Sequence, residues 1–93
     1  MNIQHKDGKQ NGMFYMEKDG NRVAEIVYSK GAEGLLIIEH TEVNEELQGQ
    51  NLGFELVHKT VEYARGHGLK ISPVCPFAKA VFDKREDFKD VLA

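Results

Sequence analysis

The 93 residues hold one cysteine and two prolines, and their lysines and arginines are scattered, with no basic stripe. A lone cysteine excludes an internal disulfide and cannot build a thiolate metal cage. The histidines at 5, 40, 58 and 67 show no metal-ligand spacing, so no metal is expected. A formal charge of -3 without a clustered basic stretch argues against nucleic acid as a partner. No apolar run approaches the roughly 18 residues of a membrane span. The start Met1-Asn2-Ile3-Gln4-His5-Lys6 lacks a signal-peptide core, so a cytoplasmic chain away from membranes is expected. This length makes one domain, residues 1–93, with a core of its own and little room for a separate substrate domain.

What is present reads in order as strands and then helices. Residues 1–11 are polar and are expected to be loose at the very start, with no strand assigned to them. Met13 to Glu17 has the aromatic and apolar density of a strand, and Lys18-Asp19-Gly20-Asn21 is a tight-turn signal, because Asp-Gly accepts the positive φ of two-residue hairpins. Arg22 to Tyr28 is the return strand. After the loop Ser29-Lys30-Gly31-Ala32-Glu33-Gly34, a third strand runs from Leu35 to Val43, apolar on both faces at first and therefore central in the sheet. Simple alternation puts Ile38, His40 and Glu42 on one face and Glu39, Thr41 and Val43 on the other. The strand at 13–17 is left as an exposed edge that a second chain could pair with.

The chain is organised around the passage from that third strand through Gln48-Gly49-Gln50-Asn51-Leu52-Gly53 into a helix. Leu52, Leu56, Val57, Val61 and Ala64 recur at the spacing of one helical face, predicting a helix from about Gln50 to Arg65 closed by Gly66 or Gly68. Strand, glycine loop, helix is the arrangement that offers unpaired backbone N–H groups to an anion. The loop has neither a P-loop Gly-Lys-Ser/Thr nor GxGxxG, so the spacing alone is a weak signal. Leu69 to Ser72 begins a fourth strand. Strand, helix and strand make a right-handed βαβ crossover, which puts the glycine loop and Cys75 on the same edge of the sheet. Pro73 and Pro76 end the strand ladder, and Pro76 suits the first position of a helix with Phe77 and Val81 on its buried side. Cys75 then lies at a helix amino end, where the dipole and unpaired amides favour thiolate. Phe88, Val91 and Leu92 read as a short terminal helix.

Taken together, Glu39-His40-Thr41-Glu42-Val43, the Gln48-to-Gly53 loop and Gly68-Leu69-Lys70-Ile71-Ser72-Pro73-Val74-Cys75-Pro76-Phe77-Ala78 resemble the small, single-domain branch of the GNAT acetyltransferase superfamily. The resemblance implies an α/β (α+β) minimal GNAT fold: a three-stranded antiparallel meander, a βαβ crossover to a parallel, splayed strand, and short C-terminal helices. It implies acetyl-CoA (or CoA) as cofactor, with the diphosphate on Gln48, Gly49, Gln50, Asn51, Leu52 and Gly53 and the pantetheine arm along Thr41, Glu42 and Val43. The superfamily loop reads Arg/Gln-x-x-Gly-x-Gly/Ala; here Gln48 takes its first position, Asn51 replaces its first glycine and Gly53 is its last. Phe82 stands where larger relatives carry a Tyr hydroxyl that protonates the leaving CoA thiolate. The two helices that wall the acceptor site in those relatives are also missing.

The resemblance therefore implies an acetyltransferase that moves the acetyl group to an amine, or transiently to Cys75, with Cys75 and His40 as the catalytic candidates. Hypothesised alternatives are a non-catalytic acetyl-CoA sensor or adaptor and a Cys75-dependent hydrolase. The acceptor, a small amine or a protein lysine, is left open. A monomer is favoured.

Overall fold

The computed structural model describes residues 2–93. Five strands form one sheet in the order β1 (Ile3–Asp7), β2 (Asn11–Lys18), β3 (Asn21–Lys30), β4 (Leu35–Val43), β5 (Lys70–Pro73). The first four are antiparallel neighbours, and β4 and β5 are parallel. Helices α1 (Leu52–His67) and α2 (Pro76–Lys84) and two 3-10 segments, Glu45–Leu47 and Glu86–Val91, complete the chain. Asp19 and Gly20 take φ of 53° and 80°, as the β2–β3 hairpin requires.

The expectation of loose residues at 1–11 is corrected. Ile3–Asp7 is a strand in register with Met16 to Gly12, so the meander has four strands and β1, not β2, is the edge. Its sequence is almost wholly polar, and side-chain chemistry holds it where an apolar stripe would otherwise do so. His5 stacks on Phe14 at 4.1 Å, the Tyr28 hydroxyl donates to Asp7 at 2.7 Å, and Lys30 pairs with Asp7 at 3.0 Å. Burial, then the hydrogen bond to Asp7, pushes the Tyr28 phenol above its usual pKa, so it stays a donor. Gly12 makes this network fit. A Cβ there would lie 2.6 Å from the Lys6 carbonyl oxygen and 2.6 Å from Cζ of Tyr28. Gly12→Ala is expected to cost about 1–3 kcal/mol through overpacking. Thermal unfolding should show a midpoint lower by roughly 4–24 °C; an unchanged midpoint would contradict the fit.

A bulge on β4 overturns the face assignment made by alternation. Val27 pairs with His40 but Tyr28 pairs with Ile38, which leaves Glu39 as an extra residue on β4. One inserted residue exchanges the faces beyond it. Ile38 points to the core on the α1 side, and Thr41 and Val43, opposite Ile26 and Ala24, now share that side; His40 and Glu42 lie on the other. Leu56, Val57, Val61 and Ala64 of α1 are wholly buried against this inner face with Ile26, Ile38 and Ile71. Gly68, at φ 67°, closes α1.

β4 and β5 pair only from Leu35↔Lys70 to Ile38↔Pro73. Beyond that point the amides of Val74 and Cys75 both donate to the Ile38 carbonyl, at 3.0 Å each, and the strands part. Among the described residues, Glu39 to Val43 has no strand partner on the β5 side.

Candidate functional site

The divergence of β4 from β5 opens a cleft of about 420 Å³ beside the start of α1. Thr41 and Val43 form its β4 wall, and Gln48, Gly49, Asn51, Leu52 and Gly53 form its floor and rim. Two positive-φ residues shape the loop, Gly49 at 92° and Asn51 at 61°. Asn is among the side chains that tolerate this region best. Because Asn51 is left-handed, α1 starts at Leu52, two residues later than the expected start at about Gln50.

No side chain caps α1, and its first intrahelical bond runs from the Glu55 amide to the Asn51 carbonyl at 3.0 Å. Among the described residues, the amides of Leu52, Gly53 and Phe54 have no hydrogen-bond partner, and all three residues line the cleft. Uncapped first-turn amides and the positive end of a four-turn helix suit an anion. Among the described residues, no lysine or arginine lines the cleft. Gln48 is occupied within the protein, its Nε2 donating to the Val43 carbonyl at 3.3 Å, which ties the loop to β4.

Three cleft residues were not singled out in the sequence as site residues: Leu47, Phe54 and Phe77. Phe77 was expected on the buried side of α2, but that side is made by Ala78 and Phe82, with Val81 partly buried. Phe77 is instead 44 % exposed, and its ring lies over Gly53, where a Cβ would come within 2.8 Å of it. An aromatic one position after a helix-starting proline was the available signal; helical periodicity pointed it the wrong way. Phe82 is buried against Phe88.

Cys75 is the N-cap of α2, buried, with Pro76 following. Its Sγ lies 3.5 Å from Oγ1 of Thr41, and Thr41 lines the cleft, so the thiol sits one side chain behind the cleft wall. Burial pushes the thiol's pKa up, but the amides of Ala78 and Phe77 and the hydroxyl and backbone of Thr41 outweigh it, and the net shift is downward. The thiol donates to Thr41; a thiolate would accept from the same hydroxyl once it turned. Thr41→Val removes that donor, so the thiolate ultraviolet absorbance is expected to develop at higher pH than in the parent. An unshifted titration would show that Thr41 does not stabilise the anion.

The remaining sequence candidates lie elsewhere. His40 is exposed on the opposite face of the sheet, its Nε2 2.9 Å from Oε2 of Glu42. Neither lines the cleft, and Gln50 is exposed in the loop. The structure thus groups Thr41, Val43, Gln48, Gly49, Asn51, Leu52 and Gly53 at one cleft with Cys75 behind it, and groups His40 with Glu42 across the sheet.

A mixed sheet whose terminal parallel pair splays beside an uncapped helix fits the fold expected from the resemblance to the GNAT acetyltransferases. Residues 13–91 match the family model described as GCN5-related N-acetyl-transferase. The chain belongs to the GCN5-related N-acetyltransferase family, a family of acyl-transferring enzymes. The solution structure of a GCN5-like protein from Staphylococcus aureus is 36% identical, with a TM-score of 0.76; the match covers 99% of this chain and 89% of that one. A ribosomal-protein-alanine N-acetyltransferase from Brucella melitensis shares the fold at TM-score 0.69 and 14% identity, over 83% of this chain and 62% of that one. A Bacillus anthracis protein assigned as a streptothricin acetyltransferase, solved in complex with acetyl coenzyme A, matches at TM-score 0.64 and 15% identity, over 84% of this chain and 47% of its own. The chain therefore spans 62% and 47% of these last two proteins, and the likeness to them is one of fold. A comparison with curated proteins gave no match.

Proposed function

We propose that the cleft binds acetyl-CoA and that the protein transfers its acetyl group to an amine by way of Cys75. The observation that carries this reading is the parting of β4 and β5 after Ile38↔Pro73, beside a helix start with free amides. The diphosphate would sit on the amides of Leu52, Gly53 and Phe54. The pantetheine arm, itself an amide chain, would pair with the unpartnered edge of β4 from Thr41 to Val43. Family membership and the acetyl coenzyme A found in the Bacillus anthracis fold relative support the choice of ligand.

In the first half-reaction the Cys75 thiolate attacks the thioester carbonyl carbon; the bond from that carbon to the CoA sulfur breaks, and CoA leaves as a thiolate that takes up a proton. In the second, a neutral amine attacks the Cys75 thioester, the new C–N bond forms, the bond to Sγ breaks, and the amine proton is lost to a base. His40, oriented by Glu42 on the far face, is the proposed base, which requires the acceptor to approach from that face. The lowered pKa of Cys75 favours the covalent route. Direct attack by the amine on acetyl-CoA, with His40 as base, is the competing order of events.

Calorimetric titration with CoA and with acetyl-CoA tests the reading. Saturable one-to-one binding of both is expected, with release of free CoA thiol once an amine panel is added. Absence of saturation with either ligand would overturn the cleft assignment. Saturable binding without thiol release would turn the reading to a sensor or adaptor, and release of thiol and acetate without any amine would mark a hydrolase.

A further inference from the structure

We infer that Glu25, His40 and Glu42 form a binding site for a divalent transition metal ion on the sheet face opposite α1. The three are 25, 40 and 42 in the chain, a spacing that signals nothing; strand pairing assembles them. Glu25 of β3 is directly opposite Glu42 of β4 in the ladder. The bulge at Glu39 turns His40 and Glu42, two residues apart along one strand, away from the Ile38 face and onto the face of Glu25. One donor atom from each of the three lies within 4.8 Å of the other two, and the His40–Glu42 pair is already at 2.9 Å.

Electrostatics point the same way. Carboxylates directly opposite one another on adjacent strands repel. The cation already nearby is Arg22, 3.7 Å from Glu25 and itself partly exposed, a distance and setting that give a weak pair. A dication held between the two carboxylates removes the repulsion. Tetrahedral coordination with bonds near 2.1 Å separates donors by about 3.4 Å, so closure needs side-chain rotation and no movement of the strands. Imidazole with two carboxylates suits zinc, cobalt or nickel; calcium and magnesium prefer oxygen alone. The donors are exposed or half-exposed, so the ion has direct access and keeps a coordination position for water.

The site shares His40 and Glu42 with the proposed acetyl transfer, since a bound ion would occupy the nitrogen of the proposed base; its readout is metal binding alone, so its failure and the failure of that reading are distinguishable. The full chain, freed of metal with a chelator and then exchanged into chelator-free buffer, is titrated with Zn²⁺ in competition with a chromogenic chelator, and with Co²⁺ followed by visible absorption. One equivalent of each ion is expected to bind, with the intense visible bands of low-coordinate cobalt. Glu25→Gln and His40→Ala should each weaken Zn²⁺ binding at least about 10-fold while circular dichroism stays unchanged; loss of a ligand costs no less than loss of an outer-shell partner. His58→Ala, which breaks the comparable exposed His58–Glu62 pair on α1, is expected to bind as the parent does. No competition by the parent chain, equal affinity in Glu25→Gln, or equal loss in His58→Ala would each overturn the site as adventitious metal binding only.

Discussion

Incubated with acetyl-CoA and no amine, the protein is expected to gain one acetyl group in intact-mass spectra, located on Cys75, and Cys75→Ser to gain none. The expectation rests on three features: the thiol caps α2, its pKa is lowered, and it touches Thr41 of the cleft wall. Serine keeps the size and the hydrogen bond to Thr41 but ionises several units higher, so nucleophilic attack at neutral pH is lost entirely. The fold should survive, since the change leaves volume and capping geometry intact. If Cys75→Ser still transfers acetyl to amines at the parent rate, direct attack on acetyl-CoA replaces the covalent route. An adduct found elsewhere on the chain would remove Cys75 from the mechanism.

Gly53→Asp is expected to abolish CoA binding without unfolding the protein. A carboxylate in the first turn of α1 is favourable to the helix dipole and competes for the same free amides that would hold the diphosphate. Each charge-assisted hydrogen bond to the ligand is worth about 1.5–3 kcal/mol, so losing two costs roughly 3–6 kcal/mol, or more than about 100-fold in affinity. The new Cβ would press on the Phe77 ring, which is partly exposed and can swing outward. Calorimetry with CoA, alongside thermal unfolding, separates the two effects. Parent-like affinity would show that the diphosphate does not sit at this helix start, while a collapsed midpoint would show that the Gly53–Phe77 contact is structural.

Much of this architecture was legible from the order of residues. The Asp19-Gly20 turn, the apolar stripe of α1, its αL glycine at Gly68 and the proline that opens α2 are local signals, and each of these elements formed where its local chemistry asks for it. Three features were not legible, for one shared reason: they depend on neighbours distant in sequence. β1 has no apolar stripe and is held by Phe14, Tyr28 and Lys30 from other strands. The bulge at Glu39 arises from the register with β3, and it takes His40 off the face of Ile38 and brings Thr41, which touches Cys75, onto it. Phe77 turns outward because Gly53, on another helix, leaves room for its ring. The loop residues could be read as a group because they are contiguous, whereas Glu25 carries no sign of its proximity to His40.

The early parting of β4 from β5 has a cost that the protein must carry when nothing lies in the gap. Strand edges are ordinarily found at the rims of a sheet, where charge or a covering loop blunts them. Here a further rim is opened along the second half of β4, where, among the described residues, the backbone of Thr41 to Val43 has no strand partner on the β5 side. Any extended amide chain of suitable length satisfies such an edge, so a molecule that fills it acts as a surrogate strand and completes the sheet.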